Sequence, residues 1–463
     1  MMKYIDEDRI ADLLTDSVNA EGRRLDEILR KAMSLKRLEL DESALLLSAN
    51  SPEDIGKIFA AASYVKDAIY GRRVVLFAPL YISNVCVNNC LYCGFKSDNK
   101  SIARKTLTVP EVRSQAEWLL KRGHKRVLMV CGEHDNHDRD IIDYYVRSIE
   151  AIYAAETGNS RVRRVNVNCA PLGVDDFLKL KNAGIGTFQI FQETYHDQTY
   201  RRMHPKGPKS DPDKRLDAIE RAFKAGIDDI GIGALYGLYD YKFETLGILS
   251  HVEQMEKQFK IGPHTISVPR IEPASGAEIS LNPPYQVSDE DFRKVVAVLR
   301  LSVPYTGIIL STRENAAMRD SLLSLGVSQI SAGSNTSPGG YSDTEGKNAS
   351  GQFLTGDHRT LDDMVGALIK HDYIPSFCAA CYRKERTGES FMRFAKDGTI
   401  KDKCGLNALV TLREYLDDFA SPTVKDEGYS MIERYAEKLE TPDKEQFESI
   451  SSRVAQGRRD EYV

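Results

Sequence analysis

Six of the eight cysteines stand in two sets of three, and neither set contains a fourth. Cys86, Cys90 and Cys93 lie in SNVCVNNCLYCGF with C-x3-C-x2-C spacing. Cys378 and Cys381 lie in SFCAACYRKERTG, and Cys404 follows in KDKCGLN, giving C-x2-C-x22-C. Thiolates hold iron–sulfur clusters, and a cubane of four irons takes one ligand per iron. Three thiolates leave one iron of each cubane open to something other than a cysteine. A fully ligated cluster moves electrons, whereas an open iron can bind a reactant. Two open sites in one chain imply a two-step enzyme.

Zinc is the competing use of such cysteines, and it usually closes its coordination with four Cys or His ligands. Taken alone, the second triad suits zinc as well as a cluster. The first triad, with Tyr92 just ahead of its last cysteine, turns the reading of both toward iron and sulfide. Disulfides are disfavoured, because the chain opens on the charged run MMKYIDEDRI and not on a secretion signal. Cys131 and Cys169 fall in strand-like runs and read as packed thiols. Free thiols with open clusters call for a reducing, oxygen-poor cytoplasm. A net charge of −5 gives no drive toward nucleic acid or an anionic membrane surface. No apolar run approaches the roughly 18 residues of a membrane span.

From Val74 onward, short apolar runs alternate with amphipathic helical stretches. The runs cover 74–83, 126–133, 163–170, 186–193, 228–237, 265–273, 306–314 and 327–335. Gly123, Gly184, Gly226, Gly262 and Gly326 stand where the intervening helices should end. Eight such units predict an α/β fold, a (β/α)8 barrel. A doubly wound open sheet is the alternative, disfavoured by the even count and the lack of a G-x-G-x-x-G turn. Residues 1–72 read as covering helices, 73–372 as the barrel, and 373–463 as a mostly helical module holding the second triad. The Gly-, Ser- and Asn-rich stretch 332–352 is long for a connection and reads as a lid or functional loop.

Barrel enzymes place their chemistry at the C-terminal ends of the strands. The first triad follows the first run directly. Glu133 ends the second run, Asn168 lies late in the third, Glu193 ends the fourth, Arg313 comes near the end of the seventh, and Ser331 is late in the eighth. Each alone could be a cap or a surface polar residue; together they converge on one face. His264 immediately precedes the sixth run, so it belongs to the opposite face, where a polar loop residue is the ordinary expectation.

The first cysteine motif resembles the radical S-adenosylmethionine (SAM) superfamily, in its biotin synthase and thiazole synthase branch. The runs FQETYHDQTYRRMHPKGPKSDPDKR and STRENAAMRD, together with the C-terminal triad, resemble more narrowly the radical SAM tyrosine lyases that mature FeFe hydrogenase. That resemblance spans essentially the whole chain. The first two runs are shared with the tyrosine lyase of the thiazole pathway, which makes 2-iminoacetate, and the second triad separates the two. The resemblance implies two 4Fe–4S clusters, on Cys86, Cys90 and Cys93 and on Cys378, Cys381 and Cys404, with His264 holding an additional iron at the second. It implies SAM contacts by Tyr92, Glu133, Asn168, Glu193 and Arg215, and tyrosine contacts by Arg313 and Ser331. The implied reaction cleaves L-tyrosine to p-cresol and dehydroglycine, then forms CO and cyanide on iron for the hydrogenase H-cluster. The implied partners are a reductant such as ferredoxin or flavodoxin and other hydrogenase maturation proteins. Rival readings are the thiazole-pathway lyase, a cluster carrier without turnover, and a sulfur inserter that consumes its second cluster. The strand-end polar set disfavours the carrier, and the C-terminal place of the second triad disfavours the inserter.

Overall fold

The eight runs become eight parallel strands: β1 (Arg73–Ser83), β2 (Arg126–Cys131), β3 (Arg164–Asn168), β4 (Phe188–Gln189), β5 (Ile230–Gly233), β6 (Thr265–Ser267), β7 (Gly307–Leu310) and β8 (Val327–Ser331). Each pairs with the next in chain order. β8 returns to β1 through Val75↔Gln329, Leu76↔Ile330 and Phe77↔Ser331, so the sheet closes. The expected (β/α)8 barrel is borne out, and closure rules out the open doubly wound sheet. The computed structural model describes residues 2–17, 23–134, 140–342, 351–384, 387–396 and 399–463. Of the stretch read as a lid, residues 343–350 lie outside the described residues.

A strand covered on both faces must be apolar on both, and all eleven residues of β1 are buried. The helices begin where capping chemistry permits. Ser51 accepts from the Asp54 amide at 3.1 Å ahead of the helix Pro52–Tyr70, and Thr108 forms a capping box with Glu111 ahead of Val109–Leu120. Four of the helix-ending glycines, Gly123, Gly184, Gly226 and Gly326, take positive φ as expected. Gly262 does not. After the helix Tyr241–Phe259 it is Lys260 that turns left-handed, at φ 62°. Gly262 is instead a close-packing position, since a Cβ there would stand 2.2 Å from the Tyr305 hydroxyl oxygen.

A ninth strand, β9 (Ile374–Ser376), runs parallel to the start of β1, with Arg73↔Ile374 and Val75↔Ser376. It delivers the chain to the second cysteine triad at the N-terminal end of the barrel. The buried pair Lys125–Glu414, at 2.7 Å, ties that end to the helix Ile400–Asp418, which carries Cys404. The N-terminal helices pack on the outer helices Tyr241–Phe259 and Asp289–Ser302. None of the described helices is long and apolar enough to cross a membrane.

Glu244 is fully buried. Its carboxyl accepts from the Thr194 hydroxyl and, at 2.8 Å, from the Tyr195 amide, the two residues that follow Glu193. Burial pushes it up to about 8. The unfolded chain therefore gives up this proton at a lower pH than the folded one. Stability should fall as pH rises from the ordinary glutamate range toward 8, by on the order of 1 kcal/mol per pH unit from this group. Glu244→Gln should flatten that slope and raise the relative stability at pH 8, measured by urea unfolding of the metal-free protein between pH 5 and pH 8. An unchanged slope would remove Glu244 as its source.

Candidate active site

The loop after β1 must present three thiols without collapsing on itself. One guanidinium organises it: Arg104 donates to the carbonyls of Asn84, Phe95, Lys96 and Asn99 at 2.8, 2.8, 2.5 and 3.0 Å. The loop also borrows backbone partners from elsewhere in the chain, Asn89 N to Lys206 O at 3.1 Å and Leu91 N to Met203 O at 3.0 Å. At the end of β2 it passes so close that a Cβ on Gly132 would stand 2.2 Å from the Val85 carbonyl oxygen. Glycine is required there for space.

One cavity, with about 1370 Å³ of open space including its mouth, fills the C-terminal end of the barrel. Cys86, Cys90, Tyr92, Cys93, Glu133, Asn168, Glu193, Arg215, Arg313 and Ser331 all line it, so the structure brings together every residue that the sequence placed at this face. Asn88 donates to Glu133 Oε2 at 2.7 Å and Lys209 to Glu193 Oε1 at 2.6 Å. Glu193 has a left-handed backbone, φ 72°, a conformation that non-glycine residues hold mainly where their surroundings enforce it. Burial works to raise its pKa, but Lys209 and Arg215 outweigh it and hold the carboxylate below its ordinary range. Arg215 is pinned by Nε to Phe191 O at 2.6 Å. Arg313 lies 3.4 Å from the ring centroid of Phe353, and burial lowers its pKa. The Ser331 hydroxyl is buried with no partner among the described residues. Tyr92 presents its ring, because its hydroxyl is engaged with His204 Nε2 at 2.8 Å. Asn168 spends its amide on Gln189 O at 2.8 Å.

Sequence reasoning passed over Asn88, Lys209 and Gln352, which also line this cavity. Asn88 sits between two motif cysteines, a signal that was available. Gln352 lies at the end of the predicted lid stretch. It accepts from the Tyr81 hydroxyl at 2.8 Å and approaches Cys93 Sγ at 3.8 Å. Cys131 and Cys169 also reach the cavity wall as buried free thiols.

The second triad lines a smaller cavity at the other end of the barrel, about 460 Å³, with Arg73, Arg126, Gln329, Ser376, Tyr382, Phe391 and His264. His264 is largely buried. Its ring packs 4.2 Å from that of Phe391, and its Nδ1 has no hydrogen-bond partner among the described residues, with Asp229 Oδ2 4.0 Å away. Burial lowers its pKa, so the ring is a neutral nitrogen donor at neutral pH. Cys381 and Cys404 share a hydrogen bond, which with burial pushes the Cys381 thiol well up.

Both triads fit polynuclear clusters. All six thiols are free of disulfides. Burial pushes Cys90 up to about 12 and raises Cys93 and Cys378, so a thiolate at these positions requires a cation. Among the described residues no group of three or more His, Cys, Asp or Glu is gathered tightly enough for a single metal ion. Each triad lines a cavity of its own.

Comparison with known proteins agrees with this architecture. Residues 80–250 match the model of the radical SAM superfamily, and 267–374 match the Biotin and Thiamin Synthesis associated domain. The 2-iminoacetate synthase of Salmonella typhimurium is 31% identical over 341 residues, 73% of this chain and 87% of that enzyme. A crystal structure of HydG, a maturase of the FeFe-hydrogenase, superposes with a TM-score of 0.95 at 45% identity and covers 99% of this chain and 100% of that one. The HydG structure from Carboxydothermus hydrogenoformans gives 0.82 and 40%, covering 96% and 99%.

Replacing Gly132 by Ala should push the cysteine loop off the end of β2. Iron and sulfide per chain after anaerobic reconstitution should fall to the level of Cys86→Ala, while far-ultraviolet circular dichroism stays that of the parent. Full iron loading in Gly132→Ala would show that the loop tolerates the displacement.

Proposed function

The chain belongs to the radical SAM family, on the branch that includes 2-iminoacetate synthase, and from that premise we propose that it is a tyrosine lyase that matures FeFe hydrogenase. It cleaves L-tyrosine between Cα and Cβ, releases p-cresol and dehydroglycine, and converts the latter to CO and cyanide on iron. The observation that carries this reading is the second cavity: three cysteines and a neutral histidine, whose Nδ1 has no hydrogen-bond partner among the described residues, at the end of the barrel opposite the first triad. The similarity to HydG supports it, because that alignment covers 99% of the chain. The alignment to 2-iminoacetate synthase takes up a larger share of that enzyme than of this chain, which is therefore the longer of the two.

When bound, SAM and the first cluster would supply the hydrogen-abstracting chemistry of a 5′-deoxyadenosyl radical. The residues do the rest. Cys86, Cys90 and Cys93 hold the cluster and leave one iron open. Glu133, fixed by Asn88, receives the ammonium of SAM, and Arg215, fixed by Phe191 O, its carboxylate. Glu193 and Asn168 serve the ribose, and Tyr92 contributes its ring. Arg313, the cation stacked on Phe353, takes the tyrosine carboxylate, and the Ser331 hydroxyl, without a partner among the described residues, lines the same cavity. At the far end Cys378, Cys381 and Cys404 would hold the second cluster, and His264 the additional iron. Dehydroglycine crosses the barrel interior between them. A low-potential donor such as ferredoxin or flavodoxin supplies the electron, and other maturation proteins receive the iron unit.

The thiazole-pathway reading keeps one specific support, the identity to 2-iminoacetate synthase. Anaerobic reconstitution followed by incubation with SAM and tyrosine separates the two. The maturase gives p-cresol, cyanide and CO with two clusters per chain, whereas the thiazole lyase gives p-cresol without CO and with one cluster.

Three results should follow. Cys86→Ala, Cys90→Ala and Cys93→Ala should each abolish SAM cleavage, and p-cresol at the parent rate in any of them would refute the first site. Arg313→Ala should raise the KM for tyrosine about a hundredfold, from a loss of about 3 kcal/mol or more, with little change in the SAM requirement; an unchanged KM moves the anchor elsewhere. His264→Ala and Cys404→Ala should leave p-cresol formation largely intact while infrared bands of iron-bound CO and cyanide disappear. Parent-level bands in His264→Ala would take His264 out of the site.

A further inference from the structure

Arginine occupies the first position of three consecutive strands: Arg73 in β1, Arg126 in β2 and Arg164 in β3. All three are only 7% exposed, and Arg126 and Arg164 stand opposite each other in register. Like charges gathered at one dry end of a barrel repel, and each needs compensation. Two have it. Arg126 donates from Nη1 to Cys378 O at 2.7 Å. Arg164 has Asp229 Oδ2 at 3.9 Å from its Nη2, and its guanidinium packs on the ring of Tyr382.

Arg73 has neither a carbonyl nor a carboxylate partner among the described residues. Its Nε, like those of Arg126 and Arg164, is buried without a hydrogen-bond acceptor among the described residues, and its neighbour is the ring of Tyr70, whose centroid stands 5.1 Å from the guanidinium carbon. It lines the same cavity as Cys378, Cys381, Cys404 and His264. Burial opposes its charge. The groups favouring that charge are Cys404, then Tyr70, Cys381 and Cys378, so the cysteines are its electrostatic neighbours. A buried guanidinium with no anion of its own, facing three thiols, is placed for negative charge that arrives with a ligand.

We propose that Arg73 is the charge-compensating residue of the second site, where its guanidinium stabilises the anionic thiolate-held cluster and an anionic ligand such as cyanide bound there. The proposal rests on the reading of the second triad as a cluster site. Three thiolates around a cubane of charge 2+ leave the assembly negative, and both an added electron and a cyanide ion make it more so. In a dry cavity a fixed cation acts on that charge with little screening.

The test uses the full chain carrying Cys86→Ala, Cys90→Ala and Cys93→Ala, so that only the second cluster remains. Iron and sulfide are counted, the cluster is titrated by electron paramagnetic resonance against potential, and inorganic cyanide is added as the probe. Arg73→Leu should make the midpoint potential more negative and weaken cyanide binding by about tenfold or more, while Arg73→Lys should keep most of both. Should Arg73→Leu fail to hold iron, Arg73→Gln is read in its place against Arg73→Lys. Equal potentials and equal cyanide affinities in the charged and uncharged variants would overturn the role of Arg73. A triple-alanine parent that binds no iron would overturn the second-cluster reading, and the proposal with it.

Discussion

Strand β1 is the constraint on which the rest depends. It pairs with β2 along Ala78–Ser83, with β8 along Val75–Phe77 and with β9 along Arg73–Val75, so closure of the sheet and attachment of the C-terminal segment both run through it. Its two ends are also the two sites. Cys86 follows three residues after its last residue, while Cys378 follows β9, which is hydrogen-bonded to its first. At about 3.3 Å per residue the strand sets the separation between the two chemistries. Because every edge of β1 is occupied, neither end can shift without breaking a parallel ladder that has no solvent to replace its hydrogen bonds.

The upper cavity is a problem in charge balance. Two carboxylates, Glu133 and Glu193, share its lining with Lys209, Arg215 and Arg313. Lys209 pairs with Glu193, and Asn88 rather than a cation holds Glu133, so the guanidiniums of Arg215 and Arg313 keep capacity for carboxylates brought by small molecules. Zwitterionic ligands suit this arrangement, since each supplies one charge of either sign to groups already separated in space. The enforced φ of Glu193 and the grip of the buried Glu244 on the two residues after it belong to the same design. A carboxylate surrounded by cations stays directed only if its backbone cannot turn.

Much of this was legible in the sequence, for physical reasons that differ by element. The barrel could be read because strands buried on both faces leave continuous apolar runs, and the strand-end residues could be read because parallel closure sends them all to one face. The thiol sets could be read because few other chemistries use three cysteines at those spacings. Gly262 was misread as a helix stop because close packing against Tyr305 leaves the same letter in the sequence as a left-handed turn. Lys209 was passed over because its partner Glu193 is sixteen residues away on another element. The arginines opening β1, β2 and β3 were visible as letters, but their surroundings came only with β9 and the helix Ile400–Asp418, which bring three cysteines to the cavity that Arg73 and Arg126 line.

The interior between the two cavities departs from what a barrel of this kind ordinarily does. Such barrels fill their centre with layers of branched apolar side chains. Here the inward positions between the sites include Gln189, Thr265 and Gln329, and two glycines stand among them. A Cβ on Gly231 would meet Thr265 Oγ1 at 2.7 Å and Gln189 Cγ at 2.8 Å, and one on Gly307 would meet Gln329 Nε2 at 3.1 Å. The Thr265 hydroxyl is buried with no partner among the described residues. Amides and a free hydroxyl in a barrel centre cost stability unless something polar occupies the space beside them. The two glycines make the room that the side chains of Thr265, Gln189 and Gln329 take up. The polar side chains of the middle thus stand between the two cavities that the closed sheet holds apart, at the level where apolar layers would ordinarily lie.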